Sequence, residues 1–548
     1  MKSVLAVTTV VLSFAVSAVA VALEPIIYEG EDPTIRLEVL GTHRGDAYNS
    51  SSSNEPAAYD PIRKRLFVVS KDRGGVDVID IRRPSTPEID DPIDVSDLGL
   101  PSFVAVKGRM IAVAIQSTIE TDPGYVGFFD LHGRRLATVE VGAQPSMVAF
   151  TSNGRYLVVA SSGEANDEYT IDPAGSVSII ELRRRGHRLT TSVATDDFSS
   201  FNDQVDELRA SDVRIFGPNA TVSQDLEPQS VAIAHESRTA WVTMPTNNAF
   251  AVVDIRDGEV TDVLSFGYKD HNVEGNGLDA SDDDGAINIK TWPVRGMYAP
   301  DLLGAYRASG ETYLVTPNEG NPRNKDGFSE RARVRDLVLD PTAFPNAAEL
   351  QLDENLGRLR VTSVQGDSDG DGDFDELFSF GGRSFAIWTT DAELMFDSGD
   401  DFEQITAVAV EDKDGNSYFN SEDNNNSFDA RSDDGGPEVE AVDVGTVGPR
   451  QYAFIALEQV GGVMVYDITD PREPRFQLYF NNRDFSVNPR DVCEGRDPRE
   501  PECVAAGDLG PEGVLFIPRS QSPIRAPLLV MTHEISDSTT ILKIERTR

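Results

Sequence analysis

The sequence predicts an all-β fold, a seven-bladed β-propeller with long acidic loop insertions and an N-terminal strand that closes the last blade. Two observations predict it. One pattern recurs along the chain: three short apolar strands separated by polar turns, the third ending in Asp or Glu followed by an aliphatic residue. The first three copies end about 50 residues apart, close to the spacing of about 40–50 residues that is typical of propeller blades, and short outer segments such as "RLATVEV" supply a fourth strand.

Six copies of the pattern are visible, and we expect a seventh in the long gap before the fifth, near "MYAPDLLGAYRASGETYLVTPNEG". The strand Thr34 to His43 precedes the first copy, and the chain ends on a third-strand pattern. Pairing the two would remove the open edges of the ring. A linear array of β-sandwich units is the alternative, but it does not predict a split terminal blade. The six copies end at Ile81, Leu131, Leu182, Ile255, Ile468 and Ile544.

The N-terminus reads as a signal peptide over residues 1–22. It has a basic start at Lys2, an apolar run and small-residue cleavage motifs around Ala20 and Ala22. An uncleaved anchor is the alternative, because the run approaches spanning length. We expect residues 23–548 to form one propeller domain without a transmembrane segment, exported to the periplasm, the cell surface or the medium. Its polar insertions are expected around 183–225, 256–295 and 321–437.

The charge balance restricts the partners. The chain has 548 residues, with 92 acidic against 49 basic side chains and a formal net charge of −43. Such a surface repels nucleic acid and anionic membranes and favours cations or positively charged surfaces. General solubility of an exported acidic protein explains the bulk charge equally well.

The two cysteines, Cys493 and Cys503, lie in "CEGRDPREPEC". In an exported protein we expect them to form a local disulfide. Their spacing does not suit zinc, and no histidine is near.

The stretch "GDSDGDGDFDEL" predicts a calcium site. Calcium takes six to eight oxygen ligands, and alternate carboxylates around a glycine bend supply them from one loop. The twelfth position is Phe378 where an EF-hand has Glu, and the flanks look like strands, so the loop resembles the calcium hairpins of propeller blades instead. A solvated acidic loop is the alternative. The candidate metal ligands are Asp367, Asp369, Asp371, Asp373 and Asp375.

Two other segments are acidic. The segment with Asp279, Asp282, Asp283 and Asp284 has less regular spacing, so a metal site and a solvated loop both remain open. The segment "DNNNSFDARSDDGGPEVE" is expected to be a solvated, flexible loop.

Acidic residues also stand at equivalent positions of several repeats. In a propeller, the loops that enter the first strand and leave the second lie on one face, so we expect these acids to converge at the channel mouth. Gathered carboxylates must bind cations, raise their pKa values or contact basic partners, for which Arg295, Arg323, Arg383 and His533 are candidates. Alternatively, the glutamates accept backbone hydrogen bonds that join adjacent blades. The acids are Glu227, Asp301, Glu438 or Glu440, and Glu512 at first strands, and Glu164, Glu319, Glu458 and Glu534 after second strands.

Motifs of nucleophilic catalysis are absent from the sequence: it has no G-x-S-x-G, no H-E-x-x-H and no phosphate loop. The six histidines show no zinc-ligand spacing, whereas an oxygen-ligated metal site needs none.

Long strings such as "VRIFGPNATVSQDLEPQSVAI", "KDHNVEGNGLDASDDDGAINI" and "DLGPEGVLFIP" resemble the choice-of-anchor I family, which includes exported bacterial proteins and mesenchyme-specific cell-surface glycoproteins. The resemblance implies a propeller-like ectodomain, surface or extracellular residence and a role in calcium handling or biomineral formation. Members are also described as alkaline-phosphatase-like. Many carry a C-terminal anchor or sorting tail; the sequence ends at Arg548 without one, so we do not expect permanent attachment.

We therefore expect a calcium-binding propeller that acts as an extracellular binding module for cations, a mineral surface, a glycan or another protein. The alternative is a calcium-dependent phosphoesterase of the alkaline-phosphatase or phytase kind that uses the acidic mouth. Its catalytic candidates are Glu227, Glu319, Glu438, Glu458, Glu512 and Glu534. A third possibility is an adhesion component in which calcium only stiffens loops.

Overall fold

A computed structural model describes residues 24–48, 57–186 and 188–547. The signal peptide predicted for residues 1–22 lies outside these ranges. Among the described residues, strands dominate and the α-helices are short, which confirms the all-β prediction. No helix in this part of the chain is both long and apolar enough to cross a membrane. The α-helices are Val205–Ala210, Val222–Asp225, Ala347–Leu350, Asp401–Ala409, Pro489–Cys493 and Pro501–Val504.

Seven antiparallel sheets of four or five strands follow one another along the described chain, and we number them sheets 1 to 7. Sheet 1 contains Ala58–Asp60, Arg65–Ser70, Gly75–Asp80 and Glu88–Asp94. Sheet 2 contains Leu100–Lys107, Met110–Gln116, Pro123–Asp130 and Arg135–Ala143. Sheet 3 contains Pro145–Phe150, Tyr156–Ser161, Ser176–Arg185 and Arg188–Asp196. Sheet 4 contains Val231–Ile233, Thr239–Met244, Ala249–Asp254 and Glu259–Ser265.

The last three sheets are less regular in sequence. Sheet 5 contains Gly304–Ala308, Glu311–Asn318, Ser384–Thr389 and Leu394–Asp397, so its outer strands lie inside the insertion expected at 321–437. Sheet 6 contains Val439–Val447, Arg450–Leu457, Val463–Asp467 and Arg475–Asn481, with Ile26–Glu29 as a fifth strand. Sheet 7 contains Pro511–Ile517, Leu528–His533, Ser538–Arg546 and Ile35–Arg44.

The strand expected at Thr34 to His43 thus exists as Ile35–Arg44 and pairs antiparallel with Ser538–Arg546. An inserted sheet is formed by two strands that lie between sheets 4 and 5 in sequence and three that lie between the second and third strands of sheet 5. Its order is Tyr268–Asp270, Arg295–Met297, Phe378–Phe380, Arg360–Thr362 and Arg331–Arg333, with one parallel pair in the middle. A two-stranded hairpin, Asn324–Lys325 and Phe328–Ser329, completes the strands.

The repeated Asp at the end of the third strand has a local structural role. The side chains of Asp80, Asp130, Asp254 and Asp467 each accept a hydrogen bond from the backbone N–H two residues on, at 2.9–3.0 Å. This turn satisfies backbone donors where the ladder ends, and Asp is among the few residues that form it. The aliphatic residue that follows, such as Ile81 or Ile255, is buried.

The core consists of apolar clusters between neighbouring sheets. The inner strands are rich in Val, Ile, Leu and Ala and are almost fully buried, whereas an outer strand such as Glu88–Asp94 is mostly exposed. One cluster packs each sheet on the next from sheet 1 to sheet 7. A further cluster, with Leu66 and Val68 against Leu528 and Ile541, packs sheet 7 on sheet 1.

The N-terminal strand contributes directly to this core. Ile35 has an exposed fraction of 0% and packs between sheets 6 and 7, whereas Ile27 in the preceding strand is 51% exposed. We expect Ile35→Ala to lower the free energy of unfolding by about 2–5 kcal/mol, the usual cost of emptying a buried aliphatic site. Denaturant unfolding monitored by fluorescence measures it.

Ile27→Ala is the matched control and should change that free energy by no more than about 0.5 kcal/mol. Equal effects of the two substitutions would contradict a structural role for the N-terminal strand in sheet 7.

Candidate acidic site

The acids predicted to converge do stand at equivalent ends of their sheets. The start of the first strand pairs with the end of the second in sheets 6 and 7, as Val439 pairs with Leu457 and Pro511 with His533. Glu438 and Glu512 therefore lie close to Glu458 and Glu534, which follow directly after the second strands. Local antiparallel register produces this proximity without any special loop.

Sheets 5, 6 and 7 bring seven of these acids into one group, which we call the acidic mouth. One carboxylate oxygen each of Glu458, Glu512 and Glu534 lies within 4.8 Å of the others. Glu534 acts electrostatically on Glu458, and Asp301 and Glu458 act on Glu319. All except Glu440 are half-buried, so the group is open to solvent. The members are Asp301, Glu319, Glu438, Glu440, Glu458, Glu512 and Glu534.

Pairs of carboxyl groups within the mouth lie at hydrogen-bonding distance. These pairs are Glu440 with Glu319 and Glu458 with Glu438. Burial, followed by the neighbouring carboxylates, raises the pKa values of Glu319, Glu440 and Glu458 well above the ordinary range. Two ionised carboxylates cannot occupy such positions without a shared proton or a cation between them.

Glu227 and Glu164 form a second, smaller group on sheets 3 and 4, and this group contains its own cations. Arg323 contacts Glu227 at 3.1 Å and is also paired with Asp225, while Lys325 lies 3.1 Å from Glu164. The Thr246 hydroxyl donates to Glu227 at 2.6 Å. Burial nevertheless raises the pKa of Glu227 to about 7, against the opposing effect of Arg323.

Of the basic partners expected from the sequence, Arg323 pairs with one of the predicted acids. Arg295 pairs with Glu376. Arg383 pairs with Glu403.

His533 is buried, which lowers its pKa, and it lies beside Asp508. The sequence missed Arg431, which pairs with Glu438. It also missed Asp423, a buried acid whose charge acts on Glu458. Both belong to the third acidic segment, which was expected to be a solvated, flexible loop apart from its Glu438 and Glu440.

The aspartate hairpin is separate from the mouth. Oxygens of Asp367, Asp369 and Asp375 lie within 4.8 Å of one another, and so do those of Asp340, Asp373 and Asp375. Asp371 accepts the Asp373 backbone N–H at 3.2 Å. Partial burial and Asp371 raise the pKa of Asp373 to about 6. The sequence missed Asp340 because it reaches the hairpin from a separate segment.

The two cysteines lie between Glu458 and Glu512 in sequence but are not members of the acidic mouth. Cys493 and Cys503 form a disulfide with Cα atoms 4.9 Å apart, and both are buried against Ala506, Leu509 and Ile535. A cavity of about 970 Å³ lies between the N-terminal segment and sheet 6, and Tyr28, Thr34 and Arg475 line it.

The chain has recognisable relatives. The family model described as "Choice-of-anchor I domain" matches residues 55–471, more than half of the chain. A mesenchyme-specific cell surface glycoprotein of Strongylocentrotus purpuratus is 28% identical over 282 residues, which cover 46% of this chain and 36% of that protein. Gigasin-3a of Magallana gigas is 31% identical over 191 residues, covering 33% of this chain and 62% of that protein. The chain thus spans less than two thirds of these relatives.

Solved structures give weak matches. The WD40 domain of Toxoplasma gondii coronin matches with a TM-score of 0.44 and 10% identity, covering 95% of this chain and 89% of that one. The β-propeller domain of Cps50 (Swd1) from Myceliophteria thermophila gives 0.40 and 10% identity, covering 91% and 98%. Both TM-scores are below 0.5, so the description of the fold depends on the strand pairing itself.

The raised pKa values predict an unusual pH dependence. Between the ordinary value of 4.5 and about 7, native Glu227 binds more protons than it does in the unfolded chain, and Glu319, Glu440 and Glu458 behave likewise. Their contribution to stability is present below about pH 4.5 and is lost as the pH rises through the folded pKa values. In chelator, the melting temperature should therefore be higher at about pH 5.5 than at about pH 7.5.

Acids with lowered pKa values, such as Asp497 at about 2, titrate below this window and do not oppose the effect. The histidines His43, His271 and His533 do oppose it, because burial lowers their pKa values and the unfolded chain binds more protons there up to about pH 6.5. Glu319→Gln should reduce the difference, while the exposed control Glu207→Gln should leave it unchanged. A pH dependence of the melting temperature in Glu319→Gln equal to that of the unmodified protein would contradict a raised pKa of Glu319.

Proposed function

We propose, from the premise that this chain belongs to the choice-of-anchor I family, that it is a calcium-binding module of the cell surface or extracellular space. One relative is named a cell surface glycoprotein, which supports this location. The net charge of −43 favours cationic partners. The observation that carries the proposal is the acidic mouth, where Glu458, Glu512 and Glu534 offer oxygens within 4.8 Å of one another.

We infer that the seven sheets are the blades of a closed β-propeller. The apolar cluster between sheet 7 and sheet 1 supports it, because the two sheets are farthest apart in sequence. Pairing of Ile35–Arg44 with Ser538–Arg546 supports it as well, since a strand shared by both chain ends leaves no open edge there. In this arrangement the acidic mouth surrounds one end of the central channel.

The donor set of the mouth fits a hard divalent cation. All of its candidate ligands are carboxylate oxygens. Ca²⁺ prefers oxygen ligands and binds six to eight of them. Glu458, Glu512 and Glu534 would hold the ion, and Glu438 and Asp301 would contribute to its field. The ion would supply the positive charge that keeps several adjacent carboxylates ionised. Half-burial leaves room for water or an external anionic group to complete the coordination.

The aspartate hairpin is proposed as a second calcium site, with Asp367, Asp369 and Asp375 as its main ligands. Asp340 and Asp373 form a second group with the shared Asp375. Backbone N–H groups of Gly370 and Gly372 donate to Asp367 at 2.7 and 3.1 Å, which holds its carboxylate within the loop. An extracellular protein, a glycan or a mineral surface would engage the calcium-loaded face.

The number of bound ions tests both sites. Native mass spectrometry after chelation and titration with calcium should show fewer ions in Glu512→Gln, and one fewer in the double variant Asp369→Asn with Asp371→Asn. Glu512→Gln should also reduce the calcium-dependent rise in melting temperature, because bound ligand stabilises the folded state.

Glu207→Gln, an exposed helix residue, is the matched control and should bind calcium like the unmodified protein. Unchanged ion counts in the two test variants would overturn the site assignments. A generic phosphomonoester assay with calcium and with chelator should show no calcium-dependent turnover. Turnover that is lost in Glu512→Gln would replace the binding module with the phosphoesterase alternative.

A further inference from the structure

The third acidic segment is not the solvated loop that the sequence predicted. Asp429 and Ser432 of this segment have exposed fractions of 1% and 0%, and Asn420, just before it, is 0% exposed. The segment packs against the one that contains Asp279, which is 1% exposed. Arg383 joins the two, because its guanidinium donates to the Asp279 carbonyl at 2.6 Å and to the Ser432 carbonyl at 2.7 Å.

Within this interface two oxygen atoms are buried without a hydrogen-bond partner: Asp429 Oδ2 and Asn420 Oδ1. The side chains of both residues contact the Ser432 hydroxyl through their other polar atom. Asn420 Nδ2 donates to Ser432 Oγ at 2.8 Å, and Ser432 Oγ donates to Asp429 Oδ1 at 2.5 Å. Unsatisfied buried oxygens are rare, since each loses its hydration without compensation.

The orientation of the Asn420 amide follows from its surroundings. Its Nδ2 also donates to the Glu403 carboxylate at 3.3 Å. A flipped amide would place its oxygen against that carboxylate, an acceptor facing an acceptor. Asn420 Oδ1 therefore remains the atom without a partner.

The charges around the two oxygens are negative. Asp279, Asp284 and Glu403 act electrostatically on Asp429, and burial together with these carboxylates raises its pKa to about 8. Arg383 is already paired with Glu403. Burial also raises the pKa of Asp279 to about 7. A proton on Asp429 Oδ2 is the alternative to a cation, because it would remove the charge and give a hydroxyl from which Asn420 Oδ1 can accept.

We propose that the uncompensated oxygens of Asp429 and Asn420 are two ligands of a buried divalent cation of the calcium class, held in the negative field of Asp279 and Asp284 and separate from the acidic mouth and from the hairpin. Oxygen is the only donor element offered, which suits a hard cation. Asp284, whose charge acts on Asp429, is half-buried. The ion would fasten the loop at 279–288 to the segment at 420–432, and so fix the insertion beside sheet 6.

The site depends on no residue of the mouth, so its failure and that of the proposed function are distinguishable. Asp429→Asn keeps the size of the side chain and its acceptor for Ser432 but removes the charge. We expect it to bind one calcium ion fewer by native mass spectrometry than the unmodified protein. Asp414→Asn is the control, because it makes the same charge change at an exposed position of the same insertion.

Crystals of the unmodified chain soaked in a terbium salt give a second readout that needs no variant. We expect an anomalous peak at about 2.3–2.6 Å from Asp429 Oδ2 and Asn420 Oδ1. An unchanged ion count in Asp429→Asn, or a water molecule without anomalous signal at that position, would overturn the proposal. Glu512→Gln should leave this peak in place, whereas it should weaken a peak at the mouth.

Discussion

Carboxylates at hydrogen-bonding distance from one another cannot all stay ionised unless a proton or a cation lies between them. The acidic mouth depends on this constraint. Glu319 with Glu440, and Glu438 with Glu458, are such pairs, and burial strengthens their repulsion because the surrounding protein screens charge poorly. At sheets 3 and 4 the chain itself neutralises the carboxylates. Arg323 pairs with Glu227, and Lys325 pairs with Glu164. At the mouth, a diffusible cation is the corresponding solution that we propose.

The fold creates this concentration of charge by repeating one local geometry. In each antiparallel sheet, the start of the first strand faces the end of the second, so acids at those two positions become neighbours. Packing of successive sheets on apolar clusters then brings neighbouring pairs together. The apolar interfaces contribute the stability that offsets the cost of gathering like charges, since burial of aliphatic side chains is the dominant favourable contribution to folding. Calcium would thus neutralise a charged face that the apolar interfaces between the sheets hold together.

The sequence predicted what local patterns determine. Apolar inner strands, the Asp that ends the third strand and the acids at strand ends follow rules that span a few residues, as Asp80 and Asp254 show. The outer strands of sheet 5 were not recognised, because Ser384–Thr389 rejoins its sheet only after a long insertion. Burial of Asp429 was also missed, since it depends on Asp279 and Arg383 from distant segments. Asp340 reaches the hairpin in the same way.

The central claim is that calcium replaces protons at the gathered carboxyl groups, and proton release on binding measures it most directly. Calorimetric titrations at about pH 6.5, in buffers with different heats of ionisation, give the number of protons released per ion. The account predicts net release that declines as the pH rises above the raised pKa values of the mouth. Calcium binding without proton release at that pH, or no binding at all, would contradict it.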